Sequence, residues 1–272
     1  MSLPMYPIPS KTVPAKEPAS ADLSVETQLF AAGKTLVAGM DEVGRGPLAG
    51  PVTVGVAVID ASAQLSIEGL IDSKALTEKK RVAMAPQVKQ WAVTAVGHAS
   101  PAEIDALGIT TSLRLAGQRA LAQVARAGAY PDAVLLDGKH NWLSAPEADL
   151  FADLDPATAL YRGLVAEAWA GLAGESGGWF GPVQMETKGD YRCASIAAAS
   201  VVAKVERDTL MDELDVCYPD YGWVKNKGYG SGAHRTAIET MGPTPLHRLS
   251  WSLPATEAQI QQAMVEREKE EV

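Results

Sequence analysis

Four carboxylates stand where segments rich in valine, leucine and alanine come to an end. Asp41 and Glu42 follow one such segment, and Asp137 and Asp190 each end a later one. If these segments are neighbouring strands of one sheet, the four acids lie close together at its edge. Like charges in a poorly hydrated site raise one another's pKa unless a cation neutralises them. The pattern therefore indicates a site for hard divalent ions, which prefer oxygen ligands and share phosphate oxygens of a substrate.

Two such ions about 4 Å apart hydrolyse phosphodiesters, because one activates a water molecule and the other stabilises the leaving oxygen. Each acid also has an ordinary explanation when taken alone. Asp137 precedes Gly138 and suits a turn, and Asp190 precedes an alanine-rich helix and suits its N-cap. The recurrence of acids at three strand ends is what favours chemistry.

Asp41 and Glu42 pose a geometric problem, because consecutive residues of a strand point to opposite faces. We therefore expect the strand to end or bulge at these two residues. Gly44 and Gly46 follow closely, and glycine adopts backbone angles that other residues avoid. Glycines also allow a ligand to approach the backbone. Arg45 between them suits a contact with phosphate or a stacking contact, and pairing with a neighbouring acid is the alternative.

The elements that must position these acids can be predicted from hydrophobic periodicity. Three strands come first, then one or two helices, then two more strands with a long helix after the last. The predicted strands are residues 35–42, 50–60, 91–100, 132–138 and 181–190, and the predicted helices cover residues 101–128 and 191–215. This order favours a mixed sheet with helices packed on it, an α/β architecture.

The segment at about 141–180 mixes acids, tryptophans and a glycine-rich end. Its tryptophans are Trp142, Trp169 and Trp179. We interpret this segment as an insertion, a helical hairpin with a mobile tip at "GESGG". Residues 1–20 carry prolines at a density that forbids regular structure, so a flexible leader is expected there, with the fold beginning at Thr35.

The overall composition is that of a globular chain of 272 residues, 47% of them hydrophobic, which is enough to bury a core. The sequence has neither a run of about 18 apolar residues nor a signal pattern at its start, so we expect a cytoplasmic protein without a membrane contact. Cys193 and Cys217 lack metal-ligand spacing and are expected to be reduced thiols, with Cys193 packed as a small apolar residue.

The net charge of −9 argues against a nucleic-acid partner, because phosphate binding usually leaves a basic footprint. Segment 223–248 is an exception, with four lysines and arginines against one glutamate. His234 and His247 lie in the same segment, so they are further candidates for a phosphate contact. A solvated surface is the ordinary explanation of such a charge run.

Several motifs in order resemble ribonuclease HII. They are "DEVGRGPLAGPV" at 41–52, "DSKALT" at 72–77, "LLDG" at 135–138, "KGDYRCASIAAASVVAKVERD" at 188–208, "YPDYGWVKNKGYGSGAHRTAI" at 218–238 and "HRLSW" at 247–251. The resemblance implies an RNase H-like fold with a five-stranded mixed sheet and a small C-terminal helical region. It also implies cleavage of RNA in RNA/DNA hybrids, and cleavage 5′ to single ribonucleotides in duplex DNA that leaves 3′-hydroxyl and 5′-phosphate ends.

On this basis we expect three regions. These are a flexible leader and lead-in over residues 1–34, a catalytic domain over 35–215 and a helical substrate-binding region over 216–272. The resemblance further implies two ions, Mg²⁺ or Mn²⁺, as cofactors. RNA/DNA hybrids and ribonucleotide-containing duplex DNA are the implied partners. We expect a monomer in ribonucleotide excision repair or DNA replication that contacts a replication or repair protein.

The resemblance also assigns roles to residues. Its metal-binding, catalytic acids match Asp41, Glu42, Asp137 and Asp190, the same four that the strand ends select. The loop that reads the ribose 2′-hydroxyl, the group that distinguishes RNA from DNA, matches Gly44, Arg45 and Gly46. The ring that stacks on the following sugar matches Tyr229. Contacts with backbone phosphates are expected from Lys74, Lys204 and Arg207, although the last two suit ordinary solvated charges. Ser195 and Ser200 are expected to support the site.

The chain departs from the family pattern after Asp137, because the family has only a short link between its third and fourth acids. The excess residues here include four further acids, Glu147, Asp149, Asp153 and Asp155. Any of them competes for the role of the fourth acid. We prefer Asp190 because "KGD" leads directly into the alanine-rich helix.

Three other interpretations can be weighed on the residues. "AAGKT" at 31–35 resembles the end of a P-loop, but Gln28 stands where glycine is required and the strand follows the motif. A noncatalytic nucleic-acid binder using residues 223–248 would not need four convergent acids, and metal-dependent nicking distinguishes it from an enzyme. The related ribonuclease HIII usually lacks the arginine-centred glycine loop and carries a separate N-terminal domain, for which the leader is too short.

Overall fold

The computed structural model of the protein describes residues 20–144, 155–172 and 178–270. The strands are Leu36–Val43 (β1), Val52–Asp60 (β2), Val93–Ala99 (β3), Ala133–Asp137 (β4) and Val183–Glu186 (β5). The helices are Ser24–Ala31 (α1), Glu78–Trp91 (α2), Pro101–Leu107 (α3), Ile109–Arg126 (α4), Pro156–Trp169 (α5), Gly189–Arg192 (α6), Ala194–Cys217 (α7), Trp223–Asn226 (α8), Gly232–Met241 (α9) and Glu257–Glu270 (α10). Single 3-10 turns cover Ser73–Ala75 and Pro219–Tyr221.

The strands form one mixed sheet in the order β3-β2-β1-β4-β5. β1 pairs antiparallel with β2 and parallel with β4, and β4 pairs parallel with β5. The parallel register sets Met40 opposite Leu136 and Asp137 opposite Glu186. Strands β1, β4 and β5 therefore end at one edge. The predicted α/β fold with a mixed sheet of five strands is confirmed.

Small residues allow helix α7 to lie directly on one face of the sheet. A Cβ at Gly39 would stand 2.1 Å from the backbone of Ser195, and one at Gly55 would stand 2.3 Å from the carbonyl oxygen of Ala199. Contact this close leaves no room for a side chain at either strand position. The alanines of α7 complete this side of the core together with residues of α2. The alanine-rich helix therefore packs tightly on the sheet.

Helix α4, which lies within the predicted helical residues 101–128, covers the other face of the sheet. Its apolar side chains form one buried cluster with strand residues and with the three tryptophans of the predicted insertion. Burial of each large apolar side chain stabilises the fold by about 1.5–3 kcal/mol. Gln118 of α4 donates to the carbonyl oxygen of Trp179 at 2.9 Å and accepts from the indole of Trp169 at 3.1 Å. The described part of the insertion therefore belongs to the main core.

The predicted helical hairpin within 141–180 falls partly outside the described residues. The described part contains one helix of the hairpin, α5, which begins at an N-cap whose carboxylate, that of Asp155, accepts from the backbone of Thr158 at 3.1 Å. Residues 145–154 and 173–177, including most of "GESGG", lie outside the described ranges. The hairpin therefore stays a prediction.

The fold begins before Thr35, contrary to the prediction. Helix α1, at residues 24–31, packs against the sheet and α7. Glu26 of α1 is fully buried, and its Oε1 accepts from the backbone N–H and the hydroxyl of Ser195 at 2.8 and 2.6 Å. Helix α7 has no side-chain cap from its own N-cap residue, Cys193. A carboxylate from another helix thus caps α7, where negative charge stabilises a helix N-terminus. The leader proper, residues 1–19, lies outside the described ranges.

The residues after α7 form a second, smaller core. Trp223, Tyr221 and Ile238 pack against Leu48, Ala49 and Met211 in one buried cluster. Helix α7 itself continues to Cys217, two residues past the boundary predicted at 215. The division into three predicted regions stays a proposal. The C-terminal region packs against Leu48 and Ala49, which lie in the loop that follows β1.

Two expectations from composition can be compared with the structure. Cys193 is buried beside Val37, Leu135 and Ile196, and Cys217 is exposed. Both thiols are free, as predicted. Within the described ranges, no helix combines the length and the apolar character needed to cross a bilayer.

Candidate active site

The predicted acids lie near the edge at which β1, β4 and β5 end. Asp41 and Glu42 lie near the end of β1, and Asp137 is the last residue of β4. Asp190 was predicted to end the last strand, but β5 stops at Glu186 and Asp190 lies inside the short helix α6. Asp190 is also not the predicted N-cap, because Lys188 is the N-cap of α6 and Cys193 is that of α7. The Asp137 carboxylate accepts the backbone N–H of Gly189 at 2.8 Å, which holds α6 and Asp190 at the same edge.

The predicted break of the strand at Asp41 and Glu42 is wrong. The pairing of β1 with β2 continues without a bulge through Glu42, opposite Val54, and Val43, opposite Thr53. The two acids therefore point to opposite faces of the sheet. Asp41 shares its face with Gly39 and faces α7, whereas Glu42 shares its face with the buried Met40. The break follows at Gly44, which has a positive φ of 80°.

The acids influence one another electrostatically. Burial raises the pKa of Asp41 well above its ordinary value, and Glu42, Asp137 and Asp190 raise it further. Burial also raises the pKa of Glu42, and Arg45 opposes this shift while Asp137 adds to it. Burial, Asp137 and Asp72 raise the pKa of Asp190 to about 7 against the attraction of Lys74. The four acids therefore share one neighbourhood in which negative charge is poorly tolerated.

These acids do not form a ready-made metal cage. Within residues 20–144, 155–172 and 178–270, no three histidine, cysteine, aspartate or glutamate side chains converge as a metal-binding group. The opposite directions of Asp41 and Glu42 along β1 agree with this spacing.

The donor chemistry nevertheless fits hard divalent ions. All four side chains offer carboxylate oxygens, and Oε2 of Glu42 is buried with no hydrogen-bond partner in the described part of the chain. An unpaired buried carboxylate oxygen is costly unless a cation or water accompanies it. The donor set of these four residues therefore fits such an ion.

Two cations lie beside the acids. Lys74 Nζ lies 4.0 Å from Oδ2 of Asp190, and its side chain is 69% exposed. Arg45 Nη1 lies 3.7 Å from Oε1 of Glu42, the pairing that the sequence left open as the alternative. Burial lowers the pKa of Lys74, but Asp41, Asp72 and Asp190 outweigh this effect and its pKa is raised. Lys74 therefore keeps its charge at the acid edge.

Helix α7 supports the turn that carries Lys74. The hydroxyl of Ser200 accepts the backbone N–H of Ser73 at 3.1 Å and donates to its hydroxyl at 2.8 Å. Asp72 caps the turn by accepting the N–H of Lys74 at 2.9 Å. Ser200 thus contacts the turn that carries Lys74, which agrees with its expected supporting role. Ser195 was expected to support the site too, but it contacts Glu26 instead.

The structure brings the predicted glycine loop and Tyr229 together. A Cβ built on Gly46 would lie 3.8 Å from Cε1 of Tyr229, and Arg45, Gly46 and Tyr229 are all exposed. Gly44 is buried, and a Cβ there would lie 2.1 Å from Nε of Arg207. The loop and the ring thus form one exposed surface next to the acid edge.

The phosphate contact predicted for Arg207 is wrong. Its guanidinium is fully buried and donates to the carbonyl oxygens of Pro51 and Lys227 at 3.0 Å each and of Ala49 at 3.4 Å. Lys204 Nζ donates to Asp208 at 2.7 Å, so its predicted phosphate contact requires this ion pair to open.

The two histidines of the basic segment are also internal, contrary to the prediction. His234 and His247 are fully buried and lie 3.1 Å apart between their Nε2 atoms. Burial and the neighbouring His234 lower the pKa of His247 to about 3. Arg248 of the same segment is fully buried too. Only part of the positive charge of segment 223–248 therefore lies at the surface.

Sequence reasoning missed three residues that the structure brings into or beside this region. They are Glu26, which caps α7, Asp72, which raises the pKa of Asp190, and Arg248, whose guanidinium donates to the carbonyl of Arg45 at 2.9 Å. Asp72 and Arg248 lie in the quoted motifs "DSKALT" and "HRLSW", so a signal for them existed. Glu26 carried none, because its partner is 169 positions away.

Comparison with known proteins supports a single family. A family model described as Ribonuclease HII matches residues 38–151 and 171–253. The unmatched interval contains α5, in the segment interpreted as an insertion. The chain is 43% identical over 231 residues to Ribonuclease HII of Streptomyces avermitilis, covering 84% of this chain and 82% of that protein. It is 42% identical over 231 residues to Ribonuclease HII of Paracoccus denitrificans, covering 85% and 91%.

Solved structures share the fold at lower identity. The RNase HII of Archaeoglobus fulgidus, solved as a complex with PCNA, has a TM-score of 0.55 at 23% identity and covers 81% of this chain and 97% of its own. Bst-RNase HIII, solved with Mn²⁺, has a TM-score of 0.57 at 22% identity and covers 85% and 70%. These likenesses establish an RNase H-like architecture.

Proposed function

Because the chain belongs to the ribonuclease HII family of metal-dependent endoribonucleases, which act on RNA/DNA hybrids, we propose that it also cleaves duplex DNA 5′ to a single embedded ribonucleotide. The products are a 3′-hydroxyl and a 5′-phosphate. The observation that carries this proposal is the electrostatic neighbourhood shared by Asp41, Glu42, Asp137 and Asp190, which lies next to the exposed surface of Gly46 and Tyr229.

The four acids are the residues that would hold two divalent ions, Mg²⁺ or Mn²⁺. When bound, such ions activate the attacking water and stabilise the leaving oxygen. Asp41 and Glu42 offer oxygens on the two faces of β1 at its end, and Asp137 offers oxygens from the neighbouring β4. Asp137 also fixes the position of Asp190 through its hydrogen bond from Gly189. The protein contributes mainly through the placement of charge.

Substrate recognition falls to the loop and the ring. The loop of Gly44, Arg45 and Gly46 contacts the ribose and its 2′-hydroxyl, the group that distinguishes RNA from DNA, through its exposed residues Arg45 and Gly46. Tyr229 packs on the next sugar, where a bulky ring favours deoxyribose. Lys74, with its exposed side chain beside Asp190, contacts a backbone phosphate. Lys204 contributes a weaker contact after release from Asp208.

The wider setting of the enzyme follows the same proposal. We propose a monomer that acts in the cytoplasm in ribonucleotide excision repair or DNA replication. The RNase HII of Archaeoglobus fulgidus was solved as a complex with PCNA, which supports a contact between this chain and a replication protein.

A nicking assay tests the proposed function. Three labelled duplexes of one sequence are incubated with the protein: all-DNA, DNA with one ribonucleotide, and an RNA/DNA hybrid. We expect a single cut 5′ to the ribonucleotide and several cuts in the hybrid, each requiring Mg²⁺ or Mn²⁺ and lost in EDTA. Cleavage of the hybrid with an intact single-ribonucleotide duplex would reject the finer specificity, and no cleavage of either would reject the enzyme.

A further inference from the structure

The backbone of the Gly44–Gly46 loop is held from inside by one buried side chain. Arg248 is fully buried, and its guanidinium donates to the carbonyl oxygens of Gly44 and Arg45, the second at 2.9 Å. It also donates from Nε and Nη2 to the carbonyl oxygen of Gly50, at 3.3 and 3.2 Å. A single planar group thus fixes both ends of the turn that follows β1.

These hydrogen bonds decide which way the loop presents its N–H groups. In a planar trans peptide, the carbonyl oxygen and the following N–H point in opposite directions. Because Arg248 draws the carbonyls of Gly44 and Arg45 inward, the N–H groups of Arg45 and Gly46 point away from it. Both residues are exposed, and the next residue, Pro47, has no N–H. The loop therefore turns two adjacent donors toward the surface shared with Tyr229.

Arg248 is itself held rigidly. Its guanidinium lies 4.7 Å from the centre of the Trp251 ring, a cation–π contact. The neighbouring backbone is fixed from two further elements. Asp105 of α3 accepts the N–H of Leu249 at 2.9 Å, and Arg267 of α10 donates to the carbonyl oxygen of His247. In the described part of the chain, no ion pair joins Arg248 to a carboxylate, so its hydrogen-bonding capacity is spent on the loop.

We propose that Arg248 is a positioning residue for ribonucleotide recognition, which it supports by orienting the N–H groups of Arg45 and Gly46 toward the substrate. This inference rests on the proposed function, since the loop must contact the ribose. Arg248 touches no substrate itself. Its effect is on the discrimination between ribose and deoxyribose, and much less on general affinity for duplex DNA.

Binding to two duplexes that differ in one 2′-hydroxyl tests the role of Arg248. The Asp137→Asn background is used so that the ribonucleotide duplex stays intact, and dissociation constants are measured by fluorescence anisotropy in Mg²⁺. Arg248→Lys keeps the charge but loses the fork that binds two carbonyls. We expect the ribose-over-deoxyribose affinity ratio to fall by about tenfold, the value of one hydrogen bond. Affinity for the all-DNA duplex should change by less than about twofold.

Arg114→Lys is the matched control. Arg114 is also a buried arginine that donates to a backbone carbonyl, that of Ser144 at 3.1 Å, and it lies 5.9 Å from the Tyr161 ring. It does not touch the loop, so its replacement should leave the ratio unchanged. A ratio lowered equally by both variants would assign the effect to general loosening and overturn the proposal, as would a folded Arg248→Lys protein with the ratio of its parent.

Amide hydrogen exchange of the unsubstituted protein provides a test that does not depend on the folding of a variant. The N–H groups of Arg45 and Gly46 should exchange rapidly in the free protein and become protected by the ribonucleotide duplex more than by the all-DNA duplex. Slow exchange of both groups in the free protein would overturn the proposed orientation. A parent protein with no preference for the ribonucleotide duplex would instead reject the proposed function itself.

Discussion

The acid edge, formed by Asp41, Glu42, Asp137 and Asp190, and the arginine cluster, formed by Arg207 and Arg248, are neighbours that handle buried charge differently. In the acid edge, burial and like charges raise the pKa of Asp41 and Glu42, and one carboxylate oxygen has no described partner. In the arginine cluster, burial lowers the pKa of both guanidiniums. Each guanidinium nevertheless donates hydrogen bonds to three backbone carbonyl oxygens.

This difference distinguishes buried charges that the chain itself compensates from buried charges that need a ligand for full compensation. Carbonyl oxygens solvate the buried arginines, so the loop they hold is organised before any substrate arrives. The acids receive only partial compensation from the chain, from Arg45 beside Glu42, Lys74 beside Asp190 and the N–H of Gly189 on Asp137. We propose that a divalent cation would supply the rest. The loop is therefore organised by the chain itself, whereas the acid edge has the donor chemistry for the metal ions that we propose it binds.

The largest expected effect is on the acid edge. Asp137→Asn removes a charge but keeps the Oδ1 that accepts the N–H of Gly189, so helix α6 stays in place. We expect cleavage to fall by about a thousandfold, because metal-assisted charge stabilisation is worth several kcal/mol. Binding of the ribonucleotide duplex should persist. Single-turnover nicking rates measure the loss.

Glu186→Gln is the control for Asp137→Asn. Glu186 pairs with Asp137 across β4 and β5 but is bound to Arg192 at 3.2 Å and is not among the four acids. Its replacement should change the nicking rate by less than about threefold, as for a partly exposed ion pair. Residual cutting by Asp137→Asn at a tenth of the parental rate would contradict the assignment of Asp137.

The next largest effect should come from the arginine cluster. Gly44→Ala places a Cβ at a positive φ of 80° and 2.1 Å from Nε of Arg207. We expect a loss of about 2–4 kcal/mol in the free energy of unfolding, from backbone strain and displacement of a buried guanidinium. Urea unfolding measures it. Gly33→Ala, at a φ of 89° with nothing within 4 Å, should lose only about 1 kcal/mol, and equal losses would show that the clash is relieved cheaply.

The sequence predicted the fold well because the fold depends on local patterns. Segments rich in Val, Ala and Thr between turn residues identified the strands, and hydrophobic periodicity identified the helices at 101–128 and 191–215. The acids were selected on the same grounds, since Asp41, Glu42 and Asp137 directly precede or form strand ends. Their roles in metal binding stay proposals.

The errors came from interactions that no local pattern encodes. Arg207 and Arg248 look like solvated cations in sequence, but distant carbonyls bury them. His234 and His247 were expected at the surface, but they satisfy each other in the C-terminal core. The regular end of β1 was mistaken for a bulge, because we assumed that neighbouring acids must share one face. Glu26 caps α7 through Ser195, which lies 169 positions away in the sequence and is close only in the folded chain.

A third prediction concerns Glu26, a buried carboxylate that the chain compensates through Oε1, while its Oε2 has no hydrogen-bond partner in the described part of the chain. Burial raises its pKa, while hydrogen bonds from Ser195 oppose that shift. Glu26→Ala removes the acceptor for the N-terminus of α7, and we expect a loss of about 1–2 kcal/mol in the free energy of unfolding. Glu26→Gln keeps a carbonyl oxygen and should lose less than half as much. Equal losses in the two variants would show that charge, and not the acceptor, stabilises the helix.

The smallest effect is a dependence on pH that has opposite sign in two regions, the C-terminal core around His247 and the acid edge. Burial lowers the pKa of His247 to about 3, so below its unfolded value of about 6.5 the unfolded state binds a proton that the folded state does not. Stability from this group is therefore present above pH 6.5 and is lost as the pH falls, by about 1 kcal/mol between pH 6.5 and 5.5. In the acid edge, raised pKa values mean that the folded state gains protons first, so acidification of the metal-free protein relieves repulsion there. Urea unfolding in EDTA should show a weak net change for the parent and a steeper loss on acidification for Asp41→Asn, in which part of that relief is gone. A shallower loss in Asp41→Asn than in the parent would contradict the opposition of the two regions.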